Sequence, residues 1–200
     1  SPYLITDTSR MEAVYEDAYI LVTDHKISNI HSLLKLFEQL KDEREIVIIA
    51  DDFSTEVLGI LIRNKGKGIF SSLAIKAPHF GSNKSDLLED IAIFTGATFI
   101  SKEAGMKLED VKIENLGKVR KIISTSTTTT LIDGKGDKNE VTKRASLISR
   151  VLEDAEFYEK SRLEARVGNL TGGIGVIKVG APSEVEMREK IDRIEDAILA

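Results

Sequence analysis

The chain reads as an α/β domain with at least some parallel strand pairing, and three observations predict this. Short β-branched runs alternate with longer helical patterns along most of its length, the order that puts helices beside a sheet. The composition, 42% hydrophobic and 30% charged residues in 200, is that of a globular chain. No apolar run approaches the roughly 18 residues that span a bilayer.

The strand candidates are 19–23, 46–50, 69–75, 98–101, 118–124 and 175–179, each a short run rich in Val, Ile, Thr or Tyr. The helix candidates are 30–40, 55–64, 85–95, 139–155, 157–170 and 184–199. Ser28-Asn29, Ser54 and Ser85 stand where side-chain oxygens cap helix N-termini, and Gly96 stands where a helix stops. Thr127–Thr130 continues as a strand into Asp133-Gly134-Lys135-Gly136, which is turn chemistry. Thr171-Gly172-Gly173 separates a charged helix from an apolar strand; paired glycines reach unusual backbone angles at low cost, as a pivot needs. The chain starts Ser1-Pro2-Tyr3 without an initiator Met and ends within a helical pattern, which predicts a piece of a longer protein.

Several functions are excluded or left without support. The absence of cysteine removes disulfides, thiolate zinc sites and cysteine nucleophiles. A net charge of −5 with both signs dispersed makes no basic field for nucleic acid. Neither a P-loop, a G-x-S-x-G elbow nor H-E-x-x-H occurs, and Gly172-Gly173-Ile174-Gly175 fails the dinucleotide pattern. His25, His31 and His79 are scattered without ligand spacing and read as surface or loop residues; Glu153-Asp154 and Glu156 read as a solvated face.

Two helices carry too much apolar surface. On a helical wheel Leu33, Leu34, Leu36, Phe37 and Leu40 cover an arc of roughly 160°, against about 100° for a helix lying on one core. In the next helix Val57, Ile60 and Leu61 form one face while Leu58 and Ile62 pair at i, i+4 well round from it. Either both helices are buried on two sides, or each gives one edge to the core and another to a ligand. Two such edges side by side would make a groove for apolar side chains.

Separated strings then narrow the field. Asp24-His25-Lys26-Ile27-Ser28-Asn29-Ile30, Lys76-Ala77-Pro78-His79-Phe80-Gly81, Leu88-Glu89-Asp90-Ile91-Ala92 and Thr95-Gly96-Ala97 resemble the group I chaperonins of the GroEL type, as do 172–181, 184–187 and 193–197. They keep their order and near-constant spacing across the whole chain. The resemblance implies an apical domain, residues 1–172, followed by part of the intermediate domain, 173–200. Its fold would be a β-sandwich with mixed strands flanked by helices, plus a C-terminal intermediate-domain helix, in place of the doubly wound sheet that alternation alone suggests.

The resemblance also implies partners and site residues. Tyr3 and Leu4, Leu34 and Phe37, and Leu58, Ile62, Arg63 and Asn64 would line the groove that takes non-native polypeptide and the lid co-chaperonin. Gly172 and Gly173 would be the hinge, Glu184 an intersubunit contact, and Asp196 the catalytic aspartate of the full-length ATPase. ATP and Mg would serve the full-length protein, a homo-oligomeric seven-fold double ring, with no cofactor, ATP site or catalysis in this piece, expected to be monomeric. No nucleic acid and no membrane are expected as partners. Location would be bacterial cytoplasm or the mitochondrial or plastid matrix. Four departures from the pattern stand out: Arg63 for a valine, Leu4 for an aromatic, His79 for a glycine, and a loop at 41–45 one residue short. Arg63 leaves open a specialised paralogue with a narrower client range; a non-chaperone α/β domain with both helices buried is the other alternative.

Overall fold

Parallel strands buried on both faces read as unbroken apolar runs, and two such runs centre this fold. The computed structural model describes residues 6, 8–40 and 45–178. Among them are ten strands and five α-helices. Strand β2 (Tyr19–Thr23) pairs parallel with β4 (Glu45–Ala50), and β4 pairs parallel with β6 (Ser71–Lys76). The short β7 (Phe99–Ile100) pairs parallel with the end of β2.

An antiparallel half is joined to this parallel half. Strand β8 (Gly117–Ser124) forms a hairpin with β9 (Thr128–Gly134), and β10 (Ile174–Lys178) lies antiparallel along β9. On its other edge β8 pairs first with β2, through Lys118 and Gly117, and then with β1 (Ala13–Glu16). The chain passes from β1 to β2 at Asp17, whose φ of 50° makes the bend while its N–H still donates to the Arg120 carbonyl at 2.9 Å. The result is one mixed sheet that turns a corner at β8, as strands do when they switch layers. A two-stranded ladder, β3 (Lys26–Ile27) with β5 (Asp52–Phe53), stands apart.

The pleat sorts side chains into two cores. Ile20, Val22, Val47, Ile49, Leu73 and Ile75 face one side and share a core with helix α3 (Gly81–Thr95) and the hairpin of α4 (Lys138–Glu153) and α5 (Phe157–Gly172). Leu21, Ile46, Ile48 and Ala50 face the other, under α1 (Leu34–Gln39) and α2 (Thr55–Gly66).

Several expectations are corrected. Residues 30–40 are not one helix: a 3-10 turn, Ile30–Leu33, precedes α1, with the Asn29 side chain accepting from the His31 N–H at 2.9 Å. Helix α3 starts at Gly81, so Ser85 is inside it and caps nothing. The reason is backbone geometry: His79 at φ 71° turns the chain just ahead of α3, and Gly81 at φ 58° is its first residue. Asp133 and Gly134 end β9 instead of turning; Asp133 is left-handed at φ 54° and binds Arg120 at 2.6 Å. Strand β1, with Tyr15 buried, has no counterpart among the expected elements. Ser54 does cap α2, accepting from the Val57 N–H at 3.2 Å, and Gly96 at φ 80° stops α3. The expected helix 184–199, Glu184 and Asp196 lie outside the described residues, as do Tyr3, Leu4 and 41–44.

The α4–α5 hairpin is fastened to α3 by ions. Asp90, 6% exposed, accepts from Arg144 Nε at 2.8 Å, Arg166 Nε at 2.6 Å and Arg166 Nη2 at 3.0 Å. Burial works against the charge of Arg166, but Asp90, with Asp86 and Glu89 nearby, outweighs it and holds the guanidinium pKa above its ordinary value. Without the shared carboxylate Arg144 keeps Glu89 at 3.0 Å and Arg166 keeps Asp86 at 3.3 Å, but both lose their closest bonds. Asp90→Ala is therefore expected to lower unfolding stability by roughly 2–3 kcal/mol, read from urea denaturation. A loss below about 1 kcal/mol would show the network to be no stronger than a surface pair. At the α3 entry, His79→Gly is expected to raise stability by about 0.5–1 kcal/mol, since glycine alone reaches left-handed φ without penalty; an unchanged denaturation midpoint would contradict strain there.

Candidate functional site

The two over-apolar helices cover the same core from the same side. Leu33, Leu36 and Leu40 around α1 and Val57 and Leu61 of α2 are each at most 1% exposed and meet in one cluster. Anchored on these residues, the helices are not enclosed on two sides. Leu34 is 41% exposed, and Phe37 and Leu58 are half-buried at the rim of that cluster. Phe70, immediately before β6, packs its ring on Phe37 with centroids 4.7 Å apart and planes tilted by 48°, joining the end of the α2 segment to α1.

The structure separates residues that the helical wheel paired. Leu58 packs against the core beneath α1, whereas Ile62, one turn further on, packs against the opposite core with β6 residues Leu73 and Ile75. Strand β6 is the last on the sheet path, and α2 runs beside it. One turn along the helix therefore carries a side chain past the sheet edge. Arg63 is exposed at the C-terminal end of α2 and Asn64 is half-buried, its carbonyl accepting from the Ile69 N–H at 3.1 Å.

The start of α2 is tied down by charge. The Phe53 N–H donates to Asp52 Oδ1 at 2.9 Å and is the main cause that holds the Asp52 carboxyl below its usual range, helped by Lys76 at 3.6 Å and Lys26 at 3.9 Å. Glu56 lies in the first turn of α2 and Arg63 and Lys65 in the last, each matching the helix dipole.

Two contributors were not among the expected site residues. Ile69 and Phe70 read as the start of a strand, but β6 begins at Ser71, leaving Ile69 65% exposed and Phe70 against Phe37. Only their apolar character next to Gly66 and Gly68, which end the helix, hinted at this. At the other candidate positions, Gly172 is the last residue of α5 and Gly173, at φ 69°, caps it in the left-handed conformation. Among the described residues no group of three or more His, Cys, Asp or Glu side chains is placed to hold a metal, and no helix is long and apolar enough to cross a membrane.

The fold is an α/β domain with a mixed sheet between two helical layers, with Leu34 exposed on one of them. Comparison with known proteins gives the family. The chain is 46% identical over 202 aligned positions to the Chaperonin GroEL of Acholeplasma laidlawii (strain PG-8A), an alignment that takes in 100% of this chain and 38% of that protein. The chain belongs to the GroEL chaperonin family and spans a little over a third of the length of that relative. No family model matches it.

The different anchoring of Leu34 and Ile62 has a measurable consequence. Ile62→Ala is expected to cost about 1–2 kcal/mol of stability and Leu34→Ala less than about 0.5 kcal/mol, compared by denaturation. Equal losses would show that both side chains serve a core or that neither does.

Proposed function

We propose that the chain is the polypeptide-binding part of a GroEL-type chaperonin, with residues 1–172 as its apical domain and 173–200 as part of the intermediate domain. The observation that carries this is the uncovered apolar edge of α1 and α2: Leu34 exposed, with Phe37 and Leu58 half-buried beside it, over a layer anchored by fully buried residues. Apolar contact is non-directional and scales with area removed from water. A surface of this kind accepts many sequences and rejects folded proteins, which present few contiguous apolar patches. Tyr3, Leu4, Arg63 and Asn64 are proposed as further contacts, with the long stem of Arg63 packing while its guanidinium stays wet, and Ile62 only through the part of its side chain that the opposite core leaves exposed.

In the whole protein, the same surface takes the lid co-chaperonin, so binding and release compete for one patch. The domain turns about Gly172 and Gly173. Strand β10, just beyond them, hydrogen-bonds along β9 as far as Lys178, so a turn at this pivot requires that ladder to be released. ATP with magnesium supplies the energy for the turn and belongs to the remainder of the protein, a seven-fold double ring. Asp196 is proposed to orient the water of hydrolysis and Glu184 to contact a neighbouring subunit. Location in the bacterial cytoplasm follows the relative's source.

Leu34→Glu is the direct test, because Leu34 gives least to the core. Binding of a fluorescein-labelled apolar peptide, followed by anisotropy, is expected to weaken about tenfold or more with the thermal midpoint unchanged. Unchanged peptide binding in a folded variant would refute the groove, and loss of fold would favour a buried helix.

A further inference from the structure

On the face of the sheet opposite α1 and α2, a cleft of about 960 Å³ opens between the α4–α5 hairpin and the end of β9. Its floor is apolar, formed by Phe94 of α3, Val141 and Ala145 of α4, and Val167 and Leu170 of α5. The space exists because the hairpin is lined there by small residues: Ala145, Ser146 and Ser149 stand where leucines would close it.

Three of the wall hydroxyls are committed to their own helices. Thr142 Oγ1 donates to the Lys138 carbonyl at 2.8 Å, Ser149 Oγ to Ala145 at 2.9 Å, and Thr171 Oγ1 to Val167 at 2.8 Å. An occupant therefore meets a mainly apolar lining, with the Ser146 hydroxyl and the accepting lone pairs of the others beside it. Charge is confined to the mouth. Lys135 and Lys138 line it, and neither has an ion-pair partner among the described residues. The acid at the mouth, Asp133, is neutralised by Arg120 at 2.6 Å.

A mainly apolar lining, a volume in the range of small-molecule sites and two unmatched ammonium groups at the opening select one ligand chemistry. We propose that this cleft binds a compact apolar carboxylate, its hydrocarbon on the Phe94–Leu170 floor and its headgroup between Lys135 and Lys138. The site is independent of the polypeptide groove, since the two lie on opposite cores.

Dodecanoate titrated into the full chain, followed by calorimetry and by amide NMR shifts, tests this. Binding on the order of 100 μM is expected, with the largest shifts at 141–149 and 167–173. The double variant Lys135→Gln/Lys138→Gln is expected to weaken dodecanoate about fivefold and to leave dodecan-1-ol unaffected. Ser149→Phe, which fills the cleft, is expected to abolish binding of both; if it lowers the thermal midpoint, Ser146→Leu from the exposed side of the wall makes the same test. Leu34→Glu is expected to change nothing. The proposal is overturned by absence of binding up to the solubility limit, by equal binding in a folded, filled variant, or by loss of binding in Leu34→Glu, which would put the probe in the polypeptide groove.

Discussion

A sheet buried on both faces is the constraint on which the rest of this structure depends. Strands β2 and β4 alternate Ile20, Val22, Val47 and Ile49 toward one core with Leu21, Ile46, Ile48 and Ala50 toward the other, all of them shielded from water. Neither face tolerates solvent, so each needs a cover. One face receives three helices of 15 or 16 residues, locked together by Asp90 and its arginines. The other receives three short 3-10 turns (Ile30–Leu33, Leu108–Asp110 and Ile113–Asn115), the six-residue α1 and the 12-residue α2. On this thinner layer Leu34 stays exposed with Phe37 and Leu58 half-buried, while the α4–α5 hairpin exposes Leu147, Val151, Phe157 and Tyr158.

The candidate site follows from that asymmetry. A six-residue helix cannot hold its place by propensity; Leu33, Leu36 and Leu40 pin α1 to the core, which leaves Leu34 on the outer side. Phe70 supports Phe37 from the α2 side. The proposed binding side chains thereby stand on a backbone held by fully buried residues, which would limit the ordering cost of binding. The face with three helices is thicker but not sealed, because small residues on α4 leave a cleft that is separated from the groove by the whole sheet.

Much of this was legible in the chain itself. The runs at 19–23 and 46–50 read as strands from their β-branched residues, and the excess arc of Leu33 to Leu40 pointed either to burial on two sides or to an edge beyond the core. What the wheel could not show is tertiary. Leu58 and Ile62 share a helical face, yet the edge position of β6 sends them to different cores. The start of α3 was misplaced because a histidine at positive φ carries no local signature, and Ser85 offered a plausible but unused cap. Gly134 and Gly136 read as turn residues. Their further role is contact: a Cβ on either would come within about 2.1 Å of a carbonyl oxygen at the C-terminal end of α3. The role of Asp90 was not legible, since its partners lie 54 and 76 residues away.

The central claim is that an apolar edge on the thin layer takes unfolded polypeptide while the sheet beneath stays unchanged. Hydrogen–deuterium exchange of the chain with and without a reduced, alkylated, permanently unfolded polypeptide tests it most directly. Slowed exchange confined to 30–40 and 55–70, with β2, β4 and the α4–α5 hairpin unaltered, is the predicted result. Protection centred on the α4–α5 face, or no protection at α1 and α2 despite binding, would contradict it.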